Sequence, residues 1–410
     1  MSDGFATIAV VKLITIILWA ALGGFVVSDW GPVDPQSPPA ALVNLEYIGH
    51  AAFVIESPTG TRIAIDPFNS NIWLGYSFPD GIKADAVLVT HPHYDHDATY
   101  YFGDLTSVFR SPGEFRIGDV SVRGIESEHA GRARFLDVGQ TPSNTIWVIE
   151  TGGLRITHLG DNRLLNEIDL ESMGQTDILL INAAYFDAAN LDMFTMLIET
   201  IQPDIMVPMH YRHHEISDLP RSIRPIGDYM AAYDPLYVDG NIAVFDPDNL
   251  GKWPGLIVLK PSPEIEPWSD DLHKAWIEAN EGDEKLSDSE NETDDARAEE
   301  ALWEGLFHYE SAMDLAPDVL RFGHGAGRAL ATLGQIDDAI ETLDHALARA
   351  PHADWTGRVR AHMLLGELYE SSGFPSVAIA HYAYVAGQEH THETSLRERA
   401  IQRLEELRKE

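Results

Sequence analysis

The sequence predicts an α/β domain followed by an all-α domain of helical repeats. Three observations carry that expectation. Up to Ser262 the chain is punctuated by short apolar, β-branched runs, several of which end in a histidine or an aspartate. From Pro263 to Glu300 the composition turns acidic, with fifteen Asp or Glu against Lys274, Lys285 and Arg297. Beyond it Ala316-Pro317 recurs as Ala350-Pro351, a period of 34 residues. A chain of 410 residues with 44% hydrophobic content is long enough to bury two cores.

Taken in order, Phe5 to Val27 is apolar apart from Lys12, and Leu13 to Leu22 is uninterrupted. Residues 1–28 therefore read as a signal peptide, with a single-pass anchor as the close competitor, since the stretch approaches the roughly 20 residues a spanning helix needs. Either reading predicts an exported protein, periplasmic or membrane-anchored. Residues 29–40, rich in proline and small side chains, read as a tether. The α/β domain is expected over 41–262. It opens with alternating strands, Tyr47 to Glu56 and Ile63 to Phe68, joined by a turn at Pro58-Thr59-Gly60. Asp66 closes the second strand. His50 at the start of the first hairpin has two readings: it lines a site, or it satisfies a backbone group at the strand start.

The strand Val87-Leu88-Val89 leads into Thr90-His91-Pro92-His93-Tyr94-Asp95-His96, which packs three imidazoles and a carboxylate into six positions. Imidazole and carboxylate are the ligands zinc takes where thiolates are absent, and this chain has no cysteine. Four ligands so close together cannot all reach one ion without strain. The spacing therefore points to two neighbouring ions, one served by His91 and His93, the other by Asp95 and His96.

The run His91-x-His93-x-Asp95-His96 resembles the signature of the metallo-β-lactamase superfamily, whose fold is an αββα sandwich with its metals at one edge of two sheets. That resemblance assigns His129, in Glu128-His129-Ala130-Gly131, to the first ion and His210, after Ile205 to Met209, to the second. It makes Asp161, after Leu154-Arg155-Ile156 and Thr157-His158-Leu159-Gly160, the carboxylate between them. The opening hairpin is similar to that of the branch containing ascorbate-6-phosphate lactonase and N-acylphosphatidylethanolamine phospholipase D, in which Asp66 would brace the metal loop. Asn144 also matches a position near that site, although a turn-forming role suits it as well. Oxygen-reducing di-iron relatives carry glutamate where this chain has His93, so the resemblance favours zinc, with Mn2+ or Fe2+ as other occupants. Two departures concern the pocket: Asn162-Arg163-Leu164 follows Asp161, and Ile181 to Phe186 lacks the expected glycines.

The implied activity is hydrolysis by a metal-bridging hydroxide, with Asp95 and Asp161 as the catalytic carboxylates. Its substrate would be a small-molecule or lipid ester, lactone, amide or phosphodiester. A formal net charge of −37 excludes a nucleic-acid substrate, because phosphate backbones are held by lysine and arginine. Arg132, Arg134 and Arg212 lie beside predicted ligands and could meet an anionic group, or simply be solvated.

Residues 263–300 read as a solvated linker. Residues 301–410 resemble tetratricopeptide repeats: Gly327, Leu330, Gly334, Ala339, Leu343 and Ala346 sit where paired helices touch. Gly373 and Ala378 repeat Gly334 and Ala339 at an offset of 39. Such repeats imply a protein partner, and about two and a half of them suggest a homodimer or another means of covering the open end. The alternative reading of the whole chain is a non-catalytic, metal-stabilised scaffold presenting its repeats to a membrane or periplasmic partner.

Overall fold

The computed structural model describes residues 41–70, 72–103, 106–129, 143–162, 165, 167–219, 223–350, 355–388 and 393–408. The predicted signal peptide or anchor, the tether, Arg132 and Arg134 lie outside these residues. Among the described residues no helix is long and apolar enough to cross a membrane. The chain divides into two compact units, one ending at Glu266 and one beginning at Pro267.

The first unit is built from two six-stranded sheets. One runs in the order Ile242–Phe245, Val43–Gly49, Ala52–Glu56, Arg62–Ile65, Ala86–Leu88, Ser107–Phe109. The other runs Ile205–Met209, Ile178–Asn182, Leu154–His158, Ser143–Thr151, Val120–Glu128, Gly113–Ile117. Leu45, Tyr47, Phe53, Ile55, Ile63 and Ile65 of the first meet Val122, Trp147, Ile149, Ile156, Leu180 and Val207 of the second in a single core. The outer face of the second sheet is covered by the helices Glu167–Met173 and Leu191–Ile201, through Leu170, Met173, Phe194, Leu197 and Ile201. The outer face of the first is covered instead by Phe68, Ile72, Leu74, Tyr76 and Phe78, with Tyr101 and Phe102 of a short 3-10 turn packed against them.

Each sheet has a parallel part: Arg62–Ile65, Ala86–Leu88 and Ser107–Phe109 in one, Leu154–His158, Ile178–Asn182 and Ile205–Met209 in the other. This is why Ile178 to Ile181 and Ile205 to Met209 read as unbroken apolar runs, since both faces of a parallel strand are buried. Pro208, which cannot donate to a ladder, is tolerated because its strand is at the edge of its sheet. The carboxyl ends of parallel strands are where α/β sheets place their ligands. Here Asp66, the His91 loop, Asp161 and His210 follow such ends, and Asn182 is the last residue of one.

The second unit contains seven helices among the described residues: Asp270–Asn291, Asp295–Leu315, Leu320–Thr332, Ile336–Arg349, Trp355–Ser371, Pro375–Ala386 and Thr394–Leu407. The third with the fourth and the fifth with the sixth form the two repeated hairpins read from Ala316-Pro317 and Ala350-Pro351. Gly334 and Gly373 end the first helix of each hairpin at φ +78° and +82°, a conformation glycine reaches without penalty. Their shared backbone is the structural content of the 39-residue offset.

The solvated linker expected at 263–300 is corrected. Ser269 caps the first helix by accepting from the Leu272 amide at 3.2 Å, and Asp294 caps the second. Ala275, Trp276, Ala279, Gly282 and Leu286 are buried along one face of Asp270–Asn291, at the three- and four-residue spacing of a helix, with the acids on the other faces. The helical unit thus starts near Pro267, not at residue 301, and a chain break after Asp288 would cut a helix.

Candidate metal centre

The loop after Ala86–Leu88 turns tightly. The His93 amide donates to the His91 carbonyl at 3.0 Å, and the amides of His96 and Asp97 both donate to the His93 carbonyl, at 2.9 and 2.8 Å. This brings His91, His93, Asp95 and His96 to one edge. Asp66, fully buried and with φ +47°, is tied to the loop: it accepts from the Thr90 amide at 2.8 Å and from Thr90 Oγ1 at 2.7 Å. It also meets His96 Nδ1 at 2.7 Å. These contacts settle two tautomers. Thr90 spends its proton on Asp66, so its oxygen accepts from His91 Nδ1 at 3.0 Å, and His96 donates from Nδ1. With Nδ1 so engaged, Nε2 is the nitrogen that either ring, once neutral, would present to a metal.

The predicted ligands gather into two groups, His91 with His93 and His129, and Asp95 with His96 and His210. His50 joins the second group, so it lines the site. His91 Nε2 faces His129 Nε2 across 3.1 Å. Asp161 stands between the groups, with Oδ2 3.3 Å from His129 Nε2 and 3.7 Å from His210 Nε2. Its other oxygen accepts from Asn182 Nδ2 at 2.8 Å. His93, Asp161 and His210 are the partly exposed members, and the rest are buried, so the centre opens to solvent on their side.

The donor set fits a pair of transition-metal ions. Among the described residues six imidazoles and two carboxylates converge, and His96 Nε2 and His210 Nε2 are buried without a hydrogen-bond partner. Burial pushes His91 well below the ordinary histidine range, aided by the neighbouring rings of His96, His93 and His129. Burial would also depress His96, but the Asp95 and Asp66 carboxylates outweigh it and raise the ring to about 10. Burial would raise Asp95, and His96 and His50 overcome it, holding the carboxyl well below the usual range. The two carboxylates thus bias His96 towards its protonated form in the metal-free chain. An ion taking Nε2 must displace any proton held there, so metal affinity should rise with pH and binding should release protons. Calorimetry in buffers of different ionisation enthalpy measures that release, and its absence would remove His96 from the ligand set.

Asn144 is not among the ligand groups. Its Nδ2 donates to Ser127 Oγ and to the Leu159 carbonyl, both at 3.0 Å, which fixes the turn ahead of Asp161. It belongs to a strand rather than a turn, Ser143–Thr151. Gly160 in that turn has φ +66°, and a Cβ there would collide with Asn144 Oδ1 and come within 2.8 Å of the Thr90 Cβ. Gly160→Ala is expected to cost at least about 2 kcal/mol, from left-handed strain and overpacking together, as read by denaturant unfolding. Thr90, Asn182, Tyr47 and His213 were not read from the sequence as site residues. Asn182 had a local signal, a polar residue closing a buried strand, while Tyr47 reaches the His50 carbonyl three residues on and His213 is joined to the centre by long-range contacts.

A family model described as the β-lactamase superfamily domain matches residues 44–210. A UPF0173 protein of Pyrococcus furiosus is 31% identical over 200 residues, covering 43% of this chain and 87% of that protein. The chain belongs to the metallo-β-lactamase superfamily. A UPF0173 metal-dependent hydrolase of Thermus thermophilus is 28% identical over 196 residues, 42% of this chain and 84% of that one. A solved Thermotoga maritima protein, described as a zinc-dependent hydrolase of the superfamily, is 23% identical with a TM-score of 0.40, covering 54% of this chain and 100% of its own. A tetratricopeptide repeat protein of Thermus thermophilus is 25% identical with a TM-score of 0.26, over 30% of this chain and 60% of that one. As a superfamily member the chain carries a metal-dependent hydrolase domain, and its helical unit extends beyond the matched region.

Proposed function

We propose that the first unit is a two-zinc hydrolase that cleaves an ester, lactone, amide or phosphodiester bond in a small molecule or lipid. The observation carrying this is the meeting of two ligand groups at the Asp161 carboxylate. Zinc bound there supplies Lewis acidity and water of lowered pKa. The protein's own contribution is placement. Asp66 and Thr90 fix the tautomers of His91 and His96, Asn182 holds Asp161 by one oxygen so that the other stays turned to both groups, and the opening beside His93, Asp161 and His210 admits the scissile bond. The role of Asn144 is to hold the turn that positions Asp161.

The acidic surface speaks against nucleic acid, and the helical unit is proposed as a surface for a protein partner or for a second copy of the chain. Export, to the periplasm or to a membrane surface, is part of the same proposal and rests on the apolar stretch from Phe5 to Val27. The test is to reconstitute the full chain with zinc or manganese and screen lactones, phosphodiesters and phospholipids, with elemental analysis alongside. About two ions per chain and turnover of one class are expected. Two ions without turnover on any class would favour the scaffold reading, and no ion at all would end the metal reading.

A further inference from the structure

We propose that His50 is itself a ligand of the second ion, giving that ion three imidazoles, from His50, His96 and His210, with the Asp95 carboxylate. This deepens the two-ion reading above and rests on it. His50 is fully buried, and its Nε2 lies 3.0 Å from Asp95 Oδ2. The same oxygen is 3.4 Å from His96 Nε2 and 4.0 Å from His210 Nε2. The His50 ring centroid is 4.1 Å from that of His210 and 5.4 Å from that of His96. One donor atom from each of the four residues falls within 4.8 Å of all the others.

The molecule contains its own control for the bland alternative. His158 is equally buried, but it is a satisfied core histidine: Nε2 donates to the Ala51 carbonyl at 2.9 Å, and Nδ1 accepts from the Gly160 amide at 3.0 Å. His50 has no such pair. Its Nδ1 is buried without a partner, and its Nε2 looks at the carboxylate on which two other inward imidazoles converge.

The backbone supplies an independent observation. His50 adopts φ +53°, a left-handed conformation that costs a side-chain-bearing residue, and the surroundings enforce it. Its carbonyl accepts from the His210 amide at 2.8 Å and from the Tyr47 hydroxyl at 3.0 Å, and its amide donates to His213 Nε2 at 3.4 Å. Among the described residues four non-glycines have positive φ, and three of them, His50, Asp66 and His210, belong to this centre. Strain held by three separate partners marks a side chain whose direction matters.

The first test is a crystal structure of the zinc-loaded full chain, with the ions located by anomalous scattering. A His50 ring nitrogen about 2.0–2.1 Å from the second ion is the expected result. A ring nitrogen held about 3 Å or more away and bonded only to Asp95 would overturn the proposal. The second is His50→Gly, chosen because glycine takes φ +53° freely and removes the ring without straining the turn. Zinc titration of the full-length variant should leave the first ion's affinity unchanged and weaken the second by more than about 100-fold, beyond the roughly 10- to 100-fold that loss of an outer partner costs. A smaller loss would overturn it. If the unsubstituted chain binds no ion, the two-ion reading falls and this inference with it. Two ions in the unsubstituted chain with an unchanged affinity for the second ion in the variant would remove the inference alone.

Discussion

Asp161→Ala should lower turnover by about 10³-fold or more and reduce the metal content from about two ions to about one. The size follows from position: Asp161 Oδ2 is shared between His129 of one group and His210 of the other, so its loss unlinks the two sites at once. An electrostatic contribution of several kcal/mol to the transition state corresponds to that factor. Asn182→Ala, which frees the far oxygen of Asp161, should cost about 10- to 100-fold, as loss of an orienting hydrogen bond does. The measurement is steady-state kinetics on whichever substrate class the screen identifies, with elemental analysis of each variant. Wild-type turnover in Asp161→Ala would displace Asp161 from the centre of the site.

Trp276→Ala should destabilise the helical unit by about 3–5 kcal/mol, as truncation of a large core aromatic does. Trp276 lies in the acidic stretch, yet only 5% of it is exposed. Its ring stacks on Trp268 at 5.2 Å, meets Phe322 edge-on at 5.7 Å and lies 4.3 Å beneath the Arg321 guanidinium. Trp303, with 45% exposure on the next helix, serves as the control, and its replacement by alanine should cost less than about 1 kcal/mol. Denaturant unfolding of the two full-length variants gives the comparison. Equal costs would return the acidic stretch to the status of a solvated linker.

The contrast between these residues explains what the sequence made legible. His91, His93, Asp95 and His96 were readable because one short turn carries all four, and His129, Asp161 and His210 because each closes an apolar run. The split into two ion groups followed from the same crowding. His50 stayed ambiguous because its decisive property is a left-handed backbone held by Tyr47, His210 and His213, and only the folded chain brings the last two to it. The acidic stretch was misread because composition counts charge and ignores phase. Ala275, Ala279, Gly282 and Leu286 are few, but they fall on one helical face, and one buried stripe with a cap at its start suffices to fold it against a neighbour.

The distribution of ligands along the chain also sets when the centre can come into being. The candidate ligands run from His50 to His210, and the strand that delivers His210, Ile205–Met209, is the last of its sheet in sequence and an edge strand. A nascent chain therefore holds at most a partial ligand set until His210 has been synthesised, and the His91 cluster waits meanwhile with one group incomplete. Because translation is slow compared with strand pairing, the two sheets can begin to assemble before the second group closes. The second group can therefore close only after the first group and eleven of the twelve strands of the two sheets are in the chain, with Ile242–Phe245 alone still to come.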